Sequence, residues 1–331
     1  MRNRISVRQL CAAGFTGLLS LSAAAAWVDW RGALLAVPAV AAAMWAAFSA
    51  GKDAGGMLKG PGGKLLAPLY LLWGVFTAGT ALALCGERIS EAGGQSGPLW
   101  PTVLAALPVL WLAMGKPEAF ARAAEIFYLA MLAVLAFLVL LGVGQIEPRW
   151  LAEPGHGLWQ SALTAAGIGC TGVYAALLWN DRGGGAGQRA AGWTAAGALV
   201  LAGMAALTAG SLSPALVRRV ERPFFLMTVG LGRTARVESL TALIWLAADV
   251  TFLGLMLHSC RGLWRDVLGC RGERSAGAVL TGAALALGVC LERFGDAEEL
   301  LRRAVPIGGL LLGGAVPLIL LLLGKMRRRG T

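Results

Sequence analysis

Between Leu240 and His258 the chain reads LTALIWLAADVTFLGLMLH, an apolar run with a single carboxylate, Asp249, near its centre. About 20 residues of α-helix match a bilayer hydrocarbon core of about 30 Å, so the run is read as a transmembrane helix with an acid close to mid-membrane. An acid at that depth costs roughly 2.5–3.5 kcal/mol on insertion scales and must face protein or a water-filled cavity. Two roles stay open for it. Asp249 is either a neutral carboxyl packed against a neighbouring helix, or a functional group that meets a ligand amine or titrates with conformational state.

The same reading, applied along the chain, yields ten spans. Arg2, Arg4 and Arg8 precede an apolar run that ends near Ala26 and imitates a signal peptide; a retained first helix is expected instead. The others are approximately Gly32–Ala50, Leu65–Cys85, Pro98–Gly115, Ala123–Val143, Leu158–Leu178, Ala190–Leu212, Leu240–His258, Ala276–Leu291 and Ala304–Gly324. Hydrophobic residues make up 57% of the 331 and charged residues 14%, where soluble domains carry about 25% charged. The chain is therefore read as one integral membrane domain over residues 1–331, an all-α polytopic protein.

The net charge of +11 does not indicate a nucleic-acid partner, because the basic residues are scattered over short loops. With the N-terminus in the cytoplasm, 18 of the 29 basic residues fall on the inner side, and the 11 on the outer side meet as many acids. The positive-inside rule then puts both termini in the cytoplasm. Six cysteines without a C-x-x-C spacing and two histidines support neither a zinc site nor a disulfide framework. No cofactor is implied. Without a nucleophile elbow or a His, Cys and Asp constellation, an enzyme is the least favoured class.

Ten spans divide into five and five, and an odd number per half turns the second half upside down relative to the first. That is the inverted-repeat plan of many secondary transporters, with repeat one near residues 5–145 and repeat two near 157–324. In that plan the first helix of each half is often interrupted at the midplane, where its freed backbone groups bind ligand. Both places hold glycines here: Gly14 and Gly17 with Ser20 in span 1, and Gly167, Gly169 and Gly172 with Cys170, Thr171 and Tyr174 in span 6. Close helix packing is the competing reading for these glycines. Although span 6 spells G-x-G-x-x-G, it lacks the strand and soluble βαβ unit that a dinucleotide site requires.

Other features have simpler readings. The Gly309 and Gly313 pair of span 10 is a G-x-x-x-G packing pattern. Thr77 and Thr80 of span 3 share a helical face and either line a cavity or bond back to their own helix. Glu125 is expected to pair with Arg122, three residues earlier. The longest connection, Ser213–Glu238, contains Phe224–Met227, a candidate re-entrant or interfacial piece capping the bundle from outside.

Three stretches carry a family likeness: Ile5-Ser-Val-Arg-Gln9 before span 1, Gly115-Lys-Pro-Glu-Ala-Phe-Ala-Arg-Ala-Ala-Glu-Ile-Phe127 before span 5, and Arg236-Val-Glu-Ser-Leu240 with Ile244 and Trp245 at span 8. With them the chain resembles the B subunit of spore germinant receptors, in the amino acid, polyamine and organocation transporter superfamily. The resemblance implies a fold like the leucine transporter's and a role in sensing a small germinant such as an amino acid. It further implies residence in the spore inner membrane, beside a larger membrane A subunit and a C lipoprotein. By the same resemblance the ligand lies between spans 1, 3, 6 and 8. Residues in that region are Gly14, Gly17, Ser20, Thr77, Thr80, Gly167, Gly169, Cys170, Thr171, Tyr174 and Asp249. The chain departs from the pattern in being short and in an alanine-rich span 1. Span 5 also has no lysine at its middle, where some proton-coupled relatives carry one. The alternatives are a secondary active amino acid transporter and a structural subunit whose pocket has decayed.

Overall fold

The computed structural model describes residues 5–24, 28–58, 63–92, 97, 99–153, 157–173, 186–220, 222–231, 237–266, 269 and 272–329. The described residues fold as helices α1 (Val7–Ala24), α2 (Trp30–Leu58), α3 (Gly63–Ala92), α4 (Leu99–Met114), α5 (Pro117–Val143), α6 (Pro148–Ala152) and α7 (Leu158–Thr171). The second half follows with α8 (Ala186–Leu212), α9 (Pro214–Arg219), α10 (Pro223–Leu231), α11 (Val237–Asp266), α12 (Glu273–Phe294) and α13 (Ala297–Gly308). A π-helical segment, Gly309–Ala315, then joins α13 to α14 (Val316–Arg329).

Among the described residues, seven helical stretches are long and apolar enough to cross a membrane, and Val7–Leu21 and Leu99–Met114 are shorter apolar helices. Helices dominate because backbone groups in hydrocarbon must be satisfied within their own segment. Pro38, Pro68 and Pro108 lie inside α2, α3 and α4, which a membrane bundle tolerates where neighbours satisfy the freed carbonyls. Where the chain turns, local chemistry sets the ends. Pro117 opens α5 after an extended Lys116, and the Asp296 side chain caps α13 by accepting from the Glu299 N–H at 2.9 Å.

The bundle is organised around α11. In Leu240–Arg265, 72% of the most apolar window is buried, against 28% in Pro117–Val143, so α11 is the core and α5 presents a face to lipid. α11 packs on α3, α1 and α5, while α2 packs on α8, α7 and α14. On its terminal side α11 is pinned by the buried Arg261, whose Nη1 donates to the carbonyls of Ala113 and Gly115 at 2.7 and 2.9 Å. That pair of bonds satisfies carbonyls at the α4 terminus, which a helix cannot satisfy itself.

Span 1 departs from expectation. Gly14 and Gly17 lie inside a continuous helix from Val7 to Ala24, so the interruption anticipated there does not occur. Two glycines cost about 1 kcal/mol each in helix propensity, less than several unsatisfied backbone groups in a water-free interior. Span 6 behaves otherwise: α7 closes at Thr171 with Gly172 as its C-cap. Fourteen residues rise only about 21 Å. Span 3 is longer than its apolar run suggested, and α3 carries Glu87 and Arg88 within the helix. Glu125 meets Arg8 at 3.4 Å and accepts from Gln9 Nε2 at 3.2 Å, so these partners lie in the first turn of α1 and not at Arg122.

The π segment has a specific partner. A π-bulge leaves backbone groups out of the regular i to i−4 ladder, and the buried Tyr70 hydroxyl donates to the Leu312 carbonyl there at 2.7 Å. Tyr70→Phe should therefore lower stability by about 1–2 kcal/mol, the cost of leaving one buried acceptor unmet. Thermal unfolding of the detergent-purified variant checks this, and an unchanged midpoint would show that the bond is idle.

Candidate functional site

Two of the anticipated residues meet in the core. Asp249 of α11 is 1% exposed, and the Ser20 hydroxyl of α1 donates to its Oδ1 at 2.5 Å. Arg88 of α3 places Nη1 3.0 Å from the same oxygen. The buried Cys85 side chain, one turn earlier on α3, lies beside the carboxyl. Arg88 is held in turn by Nε donating to Leu84 O at 3.2 Å. The cluster therefore ties α1, α3 and α11 through one carboxylate whose charge is matched by a guanidinium. The carboxyl is packed inside the bundle, against a hydroxyl of α1 and a guanidinium of α3. Arg88 and Cys85 were missed because the apolar run of span 3 ends at Cys85, whereas the helix continues. The available signal was that an intramembrane acid pairs with another polar group, and Arg88 follows one turn after that end.

A separate narrow hollow, with an accessible volume of about 30 Å³, lies between α1, α2, α7 and α8. Its walls include Cys11, Gly14 and Phe15 of α1, Phe48 of α2, Gly169 and Gly172 of span 6, Trp193 of α8 and Leu255 of α11. A side chain at Gly14 or Gly172 would meet nothing within 4 Å, so the absence of side chains there helps form the hollow. The lining is mostly apolar and aromatic. Its position differs from the region between spans 1, 3, 6 and 8, because span 3 contributes no lining residue and spans 2 and 7 do.

The remaining anticipated residues serve other contacts. Gly17 faces Phe252, whose Cα would be 3.3 Å from an added Cβ. Thr77 and Thr80 bond back to Trp73 O and Phe76 O at 2.9 and 3.0 Å, and Thr171 bonds back to Gly167 O at 2.9 Å. Gly167 abuts the Pro306 backbone, and the Cys170 carbonyl abuts Gly313. Tyr174 lies outside the described residues. The anticipated positions thus divide among a polar cluster, a cavity wall and packing seams.

No family model matches the chain, and no curated protein matches it. Among solved structures it is similar to the crystal structure of MhsT in complex with L-phenylalanine, with a TM-score of 0.63 and 14% identity. The match covers 97% of this chain and 89% of that one. The seven membrane-length helices among the described residues, which carry no strand, and this likeness together describe an integral membrane protein of the leucine-transporter-like fold class.

Proposed function

We propose that the chain binds a small amino acid with an apolar side chain in the α1–α2–α7–α8 cavity and passes that event to partner subunits. The observation that carries this reading is an apolar, aromatic-lined hollow placed beside the turn at Gly172 that ends α7. The last turn of a helix carries partial negative charge on its carbonyls, which suits a ligand ammonium, while Phe15, Phe48 and Trp193 suit its side chain. The fold shared with MhsT, solved with L-phenylalanine, supports an amino-acid ligand.

On this reading α1–α5 and the five spans from α7 onward are the two inverted repeats of a ten-helix bundle, with both termini cytoplasmic. The resemblance to germinant receptor B subunits supports sensing in a spore inner membrane, next to A and C subunits. A ligand signals only through different affinities for two states of its receptor, and the cavity wall spans both repeats. Secondary active transport is the second reading, favoured by the fold shared with MhsT. Proton coupling through Asp249 is disfavoured because Arg88 already matches its charge.

Thermal unfolding against a panel of L-amino acids tests the binding step. A true ligand should raise stability by about 2.7 kcal/mol at a hundredfold excess over its dissociation constant. Gly14→Leu should abolish that rise without unfolding the protein, since its side chain enters open space. Gly169→Trp is a poorer control: even a Cβ there would sit 2.7 Å from Val40 Cγ2 and push α7 from α2. No stabilisation by any amino acid would overturn the reading. Uptake into proteoliposomes under a sodium or proton gradient separates transport, which gives net flux, from sensing, which does not.

A further inference from the structure

We infer that Tyr128 of α5, which is not part of the hollow's lining, sets how large a side chain the hollow accepts, by fixing the two rings, Phe15 and Trp193, that line it. The inference rests on the reading of the hollow as a ligand site. Its first test needs no ligand, so the two fail separately.

Phe15 of α1 and Trp193 of α8 come from different helices and both line the hollow, to which α5 contributes no residue. They share one neighbour behind that lining. The Tyr128 ring meets Phe15 with centroids 5.3 Å apart and planes at 89°, and meets Trp193 at 5.4 Å and 63°. Both contacts are of the edge-to-face kind that aromatic rings favour. Phe15 also lies across Gly197 of α8, where an added Cβ would be 3.2 Å from its Cδ2, so it has little room to settle deeper against α8. Tyr128 is itself held in place. Three residues earlier, on the same face of α5, Glu125 accepts from Gln9 Nε2 and meets Arg8, which ties this part of α5 to the first turn of α1.

Rings in a close-packed interior turn only where space lies beside them. Truncating Tyr128 opens that space behind both rings, on the side away from the hollow. Phe15 and Trp193 can then swing into it, and the hollow widens. Its accessible volume of about 30 Å³ makes such a change decisive, since a single methylene in an apolar pocket alters preference by about 10–200-fold. The native hollow accordingly takes amino acids with side chains from alanine to valine in size and rejects aromatic ones. Tyr128 is a positioning residue here, because it acts through the two rings.

The test uses Cys11, which lines the hollow one turn before Phe15. The full chain, with its other five cysteines replaced by alanine, is purified in detergent and treated with methyl and with benzyl methanethiosulfonate. The parent should react about tenfold faster with the methyl reagent, and Tyr128→Ala should reduce that ratio to about twofold, in line with the size discrimination of an apolar pocket. Tyr128→Phe keeps the ring and should keep the parent's ratio. A general loosening of the bundle raises both rates and leaves the ratio alone. If Tyr128→Ala does not fold, Tyr128→Leu supplies a milder truncation with an intermediate ratio. Thermal unfolding against L-amino acids then reads the same limit: the largest stabilisation should move from valine to phenylalanine in the truncated variant. The inference is overturned by an unchanged ratio in a folded truncation, or by Tyr128→Phe behaving as the truncation does. A parent that reacts equally with both reagents, or with neither, also overturns it. A changed ratio with no stabilisation by any amino acid upholds the role of Tyr128 in setting the width and overturns the amino-acid reading alone.

Discussion

Arg88→Met should lower the stability of the bundle by about 3–5 kcal/mol, and Asp249→Leu by a similar amount, whereas the two together should recover most of the loss. Each single variant leaves one charge buried without its counterpart, which is the costly half of breaking a buried pair. Removing both leaves an apolar contact of similar volume, and a buried ion pair exchanged this way is often neutral or better. The hydroxyl of Ser20, which now donates to Asp249, can bond back to the carbonyl four residues earlier, as membrane serines do. Thermal unfolding midpoints of the four proteins form a double-mutant cycle. Costs that simply add would mean that Arg88 and Asp249 do not act on one another, and the role assigned to the pair would fall.

That cycle probes the part of the molecule that was half legible. The one feature of span 8 that a sequence reader cannot overlook is its acid, and Ser20 was anticipated near it, but Arg88 was placed beyond the end of span 3. Apolar composition marks the hydrocarbon-facing stretch and says little about a helix that continues as a polar, protein-buried turn. For this reason α3 runs to Ala92 while its apolar run ends near Cys85. Where the anticipated spans coincide with described residues, those residues are helical almost throughout, because each span required only a long run without charge. Breaks were harder to read. Glycines at span 1 and span 6 look alike in sequence, yet α1 runs through Gly14 and Gly17 and α7 stops at Thr171. Open space does not separate them either, since Gly14 and Gly172 both have nothing within 4 Å and only α7 stops. The cavity was missed for a related reason. Its wall joins Gly14 and Gly169 to aromatic residues of α2 and α8, and such residues are indistinguishable in sequence from ordinary lipid-facing ones.

Gly313→Ala should destabilise the protein by about 3 kcal/mol or more, and Gly314→Ala, one residue later, should leave it unchanged or slightly firmer. A Cβ at Gly313 would lie 1.9 Å from the Cys170 carbonyl oxygen, and one at Gly309 would lie 2.0 Å from Gly167 O. Those neighbours are backbone atoms of α7, which no rotamer change can move aside, so the expected cost lies at or beyond the upper end of overpacking. At Gly314 the nearest atom is Cys170 Sγ at 3.7 Å, an ordinary contact. The added methyl there also favours helical backbone by about 0.5–1 kcal/mol. The contrast separates a seam from a site. If Gly309 and Gly313 exist to bring the π segment onto α7, Gly309→Ala and Gly313→Ala should also weaken the ligand-induced rise in stability, because α7 carries Gly169 and Gly172 into the cavity wall. Gly314→Ala should retain that rise in full. Equal tolerance at positions 313 and 314 would mean that α7 can retreat without cost, and the close approach would then not be what fixes its end beside the cavity.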